Sequence, residues 1–66
     1  MNVLVNGEAT ELSADATVEA LLAHLGQPCQ GLAVAVDGSV VPRSTWSSRG
    51  LTEGAHVEVL TASQGG

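Results

Sequence analysis

Only one segment of this chain carries a helical period. Val18, Leu21, Leu22 and Leu25 recur at i, i+3, i+4 and i+7 and make one apolar stripe. Ser13, Asp15 and Thr17 precede it as N-cap candidates, and Glu19 puts negative charge in its first turn. Gly26 suits the position after the last turn and Pro28 forbids continuation, so the helix should end near Leu25. One helix cannot bury its stripe against another, and a sheet is the economical cover.

The remaining apolar residues supply that sheet. Asn2 to Asn6 is a short β-branched run, and Asn6-Gly7 is a strong hairpin signal leading into a returning strand from Glu8 to Leu12. After Gly31, residues Leu32, Val34 and Val36 alternate with Ala33 and Ala35, and Asp37-Gly38 turns the chain into Ser39-Val40-Val41. Pro42 limits that ladder to an edge or ends it. From Arg43 to Gly54 no period is sustained, which reads as a loop with one short turn; His56 to Thr61 alternates again. The order is therefore β-β-α-β-β-β. Strand parity predicts that Val3, Val5, Leu32, Val34, Val36, Val57 and Val59 meet the helix stripe. Leu4, Ala33, Ala35, Glu58 and Leu60 then point outward, on a face more apolar than a monomer needs.

Composition narrows the function classes. With 66 residues the chain makes one domain, without repeats or linker, and a chain this short buries only about 60% of its unfolded surface. That leaves little room for an enzyme's cleft, and no glycine pattern here makes a phosphate cradle. The net charge is −5, Arg43 and Arg49 are the only strong cations, and Trp46 is the only aromatic residue. A phosphate backbone would repel such a surface and bases would find almost nothing to stack on, so nucleic acid is not an expected partner. The same charge would steer the protein toward basic protein surfaces. No apolar run approaches the ~18 residues of a membrane span, and Asn6-Gly7-Glu8 interrupts the only N-terminal apolar stretch, which argues against a signal peptide. The lone cysteine, Cys29, cannot form an internal disulfide, and the natural expectation is the reducing cytoplasm.

Several segments resemble a known family. They are Val5-Asn6-Gly7-Glu8, Thr17-Val18-Glu19-Ala20-Leu21-Leu22, Ala35-Val36-Asp37-Gly38, and Val41-Pro42-Arg43-Ser44 followed by Trp46. Leu51-Thr52-Glu53-Gly54, Val57-Glu58-Val59-Leu60 and the terminal Gln64-Gly65-Gly66 complete the set. In this order, over nearly the whole chain, they resemble the small sulfur carrier proteins of thiamine biosynthesis, the ThiS family. Asp37 stands where Asn is expected, and Ala55 where an acidic residue often follows the glycine; both read as loop variation. The resemblance implies an α+β, ubiquitin-like β-grasp fold, a mixed sheet of four to five strands packed on one helix. Residues 1–62 would form the domain and residues 63–66 a flexible C-terminal Gly-Gly tail.

The tail is the foremost chemical candidate. A free carboxylate is an anion at pH 7 and a poor electrophile. Converting it to an acyl-adenylate supplies a leaving group that a sulfur nucleophile can displace. Glycines at 65 and 66 let a thin segment enter a partner's ATP site. The resemblance implies that an E1-like adenylating enzyme activates the Gly66 carboxylate with ATP. Sulfur from a cysteine desulfurase, or another persulfide donor, would then make a thiocarboxylate for thiazole synthase. Gly66 would be the covalent site, with Gly65 and Gln64 giving access. The protein would be a co-substrate, not an enzyme, with no cofactor of its own.

Other conspicuous residues read as structural. Cys29 has no basic or His neighbour in sequence to lower its pKa. His24 and His56 fit no metal spacing with it and should be solvated. Trp46 either caps the open edge of a small core or, with Arg43, anchors a partner. Leu4 and Leu60, on neighbouring outward-facing strands with Glu58, make the preferred docking surface. Two other readings stand beside the thiamine carrier. The acceptor could instead be molybdopterin synthase, a cysteine-forming enzyme or a lysine-conjugating system. Alternatively, the domain could be a non-covalent β-grasp interaction module with an inert tail.

Overall fold

The computed structural model describes residues 1–27 and 31–61. Cys29 and Gln64-Gly65-Gly66 lie outside the described residues. The chain runs β1 (Asn2–Val5), β2 (Glu8–Glu11), α1 (Val18–Leu25), β3 (Leu32–Val36), β4 (Ser39–Val40), a 3-10 turn (Arg43–Thr45) and β5 (His56–Thr61). The five strands form one sheet in the order β2-β1-β5-β3-β4. Among the described residues only β1 and β5 run parallel; β1–β2, β3–β4 and β3–β5 are antiparallel. The expected order of elements holds, with β1, β2 and β4 each ending one residue earlier than their runs suggest.

Both hairpins close as their sequences require. Asn6 and Gly7 have φ of 50° and 85°, and Asp37 and Gly38 repeat those values. Two successive positive φ angles define the type I′ turn, whose twist matches that of the flanking strands. Helix α1 is capped at both ends by the residues its pattern named. The Thr17 side chain accepts the Ala20 N–H at 3.2 Å. At the other end Gly26, at φ 72°, donates to the Ala23 carbonyl while Gln27 N–H reaches the Leu22 carbonyl, a Schellman closure. Thr17→Ala should therefore cost about 1 kcal/mol, read as a shift in the urea midpoint with an unchanged slope.

The segment from Arg43 to Gly54, without period in sequence, is organised by what it caps. The Val18 and Glu19 amides at the start of α1 donate to the Arg49 and Trp46 carbonyls, at 2.9 and 3.1 Å. These are groups a helix cannot satisfy internally. A bridge between Thr17 and Gly50 holds the same segment to the helix entry. Trp46 is 4% exposed and its indole N–H donates to the Val41 carbonyl at 2.9 Å.

The core gathers Val3, Val5, Val34, Val36 and Val57 of the sheet under Val18, Leu21 and Leu22 of the helix. Leu32 and Val59 pack against this cluster as expected, together with Leu25, but all three are only partly buried. The helix has eight residues and is therefore about 12 Å long. Strand β5, with six residues, spans about 20 Å, so the end of the β3–β5 pair outruns its cover.

Candidate functional site

Strand register determines which outward side chains meet. Leu4 stands opposite Ala9 on one side and His56 on the other. Ala35 stands opposite Val40 and Glu58, and Ala33 opposite Leu60. Partners directly opposite share a face. The outer face therefore carries four rows: Asn2-Glu11, Ala9-Leu4-His56, Glu58-Ala35-Val40, and Leu60-Ala33. Leu60 is 62% exposed and Val40 78%, while Leu4, flanked on both sides, is half-buried. Glu58 is the carboxylate at the centre of these rows, and Glu11 lies at their edge.

The register corrects one expectation about this patch. Leu4 and Leu60 do lie on neighbouring strands, but Leu4 pairs with His56, four residues before Leu60. That displacement is about 13 Å along β5, so Glu58 lies between them and the two leucines are not one contact. Val40 is the member that sequence reasoning missed. Its signal was present, because it alternates with the buried Val41, but a two-residue strand offers too short a period to read.

The other two docking candidates lie elsewhere. Trp46 is buried, so of its two readings the structure adopts the core cap, and it leaves the docking set. Its ring is drawn inward because the segment it sits on closes over the helix N-terminus. Arg43 is exposed, but it begins the 3-10 turn, off the sheet. Both histidines are exposed as expected. Among the described residues no three His, Cys, Asp or Glu side chains group as a metal site would require.

Strand β5 is the second member of the only parallel pair, and its last residue is Thr61. Near the start of β5, beside the two type I′ turns, lies a depression of about 570 Å³ whose lining includes Leu4, Asn6, Asp37, His56 and Glu58. Asp37 accepts the His56 amide at 2.9 Å, and the Asn6 carboxamide binds both backbone groups of Val59. Among the described residues no helix is long and apolar enough to cross a membrane.

A mixed five-stranded sheet with a central parallel pair, one crossing helix and an outer face left uncovered defines a β-grasp domain of the ubiquitin-like kind. The ThiS family model matches residues 3–66, and the chain belongs to that family. It is 32% identical to the sulfur carrier protein ThiS of Escherichia coli over the whole length of both chains. It is 35% identical over all 66 residues to part of a thiazole synthase of Paramagnetospirillum magneticum, of which it spans only 20%. The crystal structure of a thiamine biosynthesis protein, ThiS, from Geobacter metallireducens superposes with a TM-score of 0.83 at 26% identity. That superposition covers 92% of this chain and 93% of the other.

Proposed function

We propose that this protein carries sulfur for thiamine biosynthesis on its C-terminal carboxylate. The observation that carries the reading is the family match running to the last residue, so that it includes Gly65 and Gly66. Residues 1–62 serve as the folded body and residues 63–66 as the reacting arm. An E1-like enzyme docks on the outer sheet face, and the Gly66 carboxylate attacks the α-phosphorus of ATP, releasing pyrophosphate. A persulfide sulfur, supplied by a cysteine desulfurase or similar donor, displaces AMP. Thiol cleavage of the acyl disulfide leaves the thiocarboxylate. The protein is a co-substrate throughout, and ATP belongs to the partner. Thiazole synthase is the acceptor this reading favours over molybdopterin or cysteine synthesis. The supporting observation is the thiazole synthase chain that contains a segment similar to all of this one.

The test is intact-mass analysis, with fragmentation, after incubation with the adenylating enzyme and ATP. AMP and then sulfur should appear on Gly66 and not on Met1 or Cys29, and an unmodified C-terminus would overturn the reading. The docking part has a separate check. Leu60→Glu changes an exposed side chain and should alter stability by less than about 0.5 kcal/mol. It should nevertheless raise the KM for the adenylating enzyme about tenfold, because it sets a charge into the apolar outer face.

A further inference from the structure

We infer that Asn6 is a positioning residue for the C-terminal tail, fastening β5 at Val59 and so steadying the strand from whose end, at Thr61, the tail leaves for a partner's active site. The inference rests on the reading of Gly66 as the reacting end.

The parallel ladder between β1 and β5 runs through Leu4 N–H to the Ala55 carbonyl and Asn6 N–H to the Val57 carbonyl, both at 2.8 Å. The next rung belongs to Val59, but the main chain of β1 has already turned away at Asn6. The side chain takes over. Asn6 Oδ1 accepts the Val59 N–H at 3.0 Å, and Asn6 Nδ2 donates to the Val59 carbonyl at 3.1 Å. One carboxamide thus stands in for a missing peptide unit and keeps β5 paired on both edges as far as Val59, whose other neighbour is Val34. Beyond it, Leu60 and Thr61 pair with β3 alone among the described residues.

Turn chemistry does not account for this residue type. A type I′ turn needs a positive φ, which Gly, Asp and Asn all supply. The second hairpin has Asp37 at the equivalent position, where one acceptor serves the single His56 amide. Position 6 faces an N–H and a C=O together, and a carboxamide answers both with its side-by-side acceptor and donor, where the carboxylate of Asp could only accept. The two bonds span 53 residues of sequence, far outside the hairpin that Asn6 closes. Strand β3 still holds Leu60 and Thr61, so beyond β5 residues 62–66 reach at most about 18 Å. How firmly β5 is held at Val59 therefore determines how well Gly66 is aligned in a partner's site.

The experiment compares three variants of the full chain as substrates of the adenylating enzyme with ATP, with backbone amide exchange followed in parallel. Asn6→Gly keeps the turn and removes the clamp. Asn6→Asp keeps the turn and the bond from Val59 N–H but cannot donate. Thr17→Ala is the control, weakening the fold at the helix cap, away from β5. Asn6→Gly should speed exchange at Val59 and lower kcat about tenfold, with KM within about twofold because the outer face is intact. Asn6→Asp should fall between it and the unaltered protein, and Thr17→Ala should leave both constants unchanged. Unchanged kcat in Asn6→Gly, or an equal fall in Thr17→Ala, would overturn the clamp while leaving the carrier reading in place. Should Asn6→Gly not fold, a kcat for Asn6→Asp equal to that of the unaltered protein overturns it instead. An unaltered protein that accepts no AMP overturns the reading of Gly66 itself, and the clamp's role with it.

Discussion

A chain ending at Gln64 should fold and melt like the full-length protein yet accept neither AMP nor sulfur. All fourteen buried apolar residues among those described lie between Val3 and Val57, so the truncation removes nothing from that core. The expected shift in unfolding free energy is within about 0.5 kcal/mol, the range of substitutions away from buried features. The expected loss of function is total, because a carboxylate moved back by two residues of about 3.3–3.6 Å each cannot occupy the same reacting position. Thermal melts and intact-mass analysis after incubation with the adenylating enzyme and ATP decide it. An adenylate on the shortened chain would remove Gly66 from the mechanism. Retained biological activity without any adenylate would favour the non-covalent module.

Trp46→Ala should leave the protein largely unfolded at 37 °C. Phe or Trp to Ala in a core costs about 3–5 kcal/mol. A domain of 66 residues, at about 0.05–0.15 kcal/mol per residue, has only about 3–10 kcal/mol in total. The substitution also strands the Val41 carbonyl, which accepts the indole N–H. In addition it loosens the segment that caps the Val18 and Glu19 amides. Trp46→Phe separates these effects: it keeps most of the ring's packing and loses the hydrogen bond, for about 1 kcal/mol. Far-ultraviolet circular dichroism is the appropriate probe, since both variants remove the only aromatic fluorophore. A cooperative melt for Trp46→Ala close to that of the unaltered protein would show that the ring is not the keystone of this edge.

The structure and the sequence agree most closely where the physics is local. The stripe of Val18, Leu21 and Leu22 is buried, Thr17 and Gly26 cap it, and Asn6-Gly7 and Asp37-Gly38 turn as their residue types demand. Agreement weakens where two distant segments must meet. Parity places Leu4 and Leu60 on the outer face but is silent on register, and register places Glu58 between them. Trp46 was open to two readings because a loop residue has no period to reveal its side. Asn6 was fully explained by its turn, which hid its bonds to Val59.

By itself the sequence determined the one helix and its ends, both hairpins, the two faces of each long strand, and the terminal glycines that suit the carrier chemistry. These depend on hydrogen bonds and steric limits reaching no farther than a turn of helix or a two-residue loop. Only the tertiary structure decided that β5 enters between β1 and β3, that Trp46 closes the core above the helix N-terminus, and that Asn6 completes the ladder at Val59. Those outcomes join residues dozens of positions apart. The free energy that selects them comes from burying one shared core and pairing every backbone group within it, a property of the assembled sheet and helix that no single segment carries.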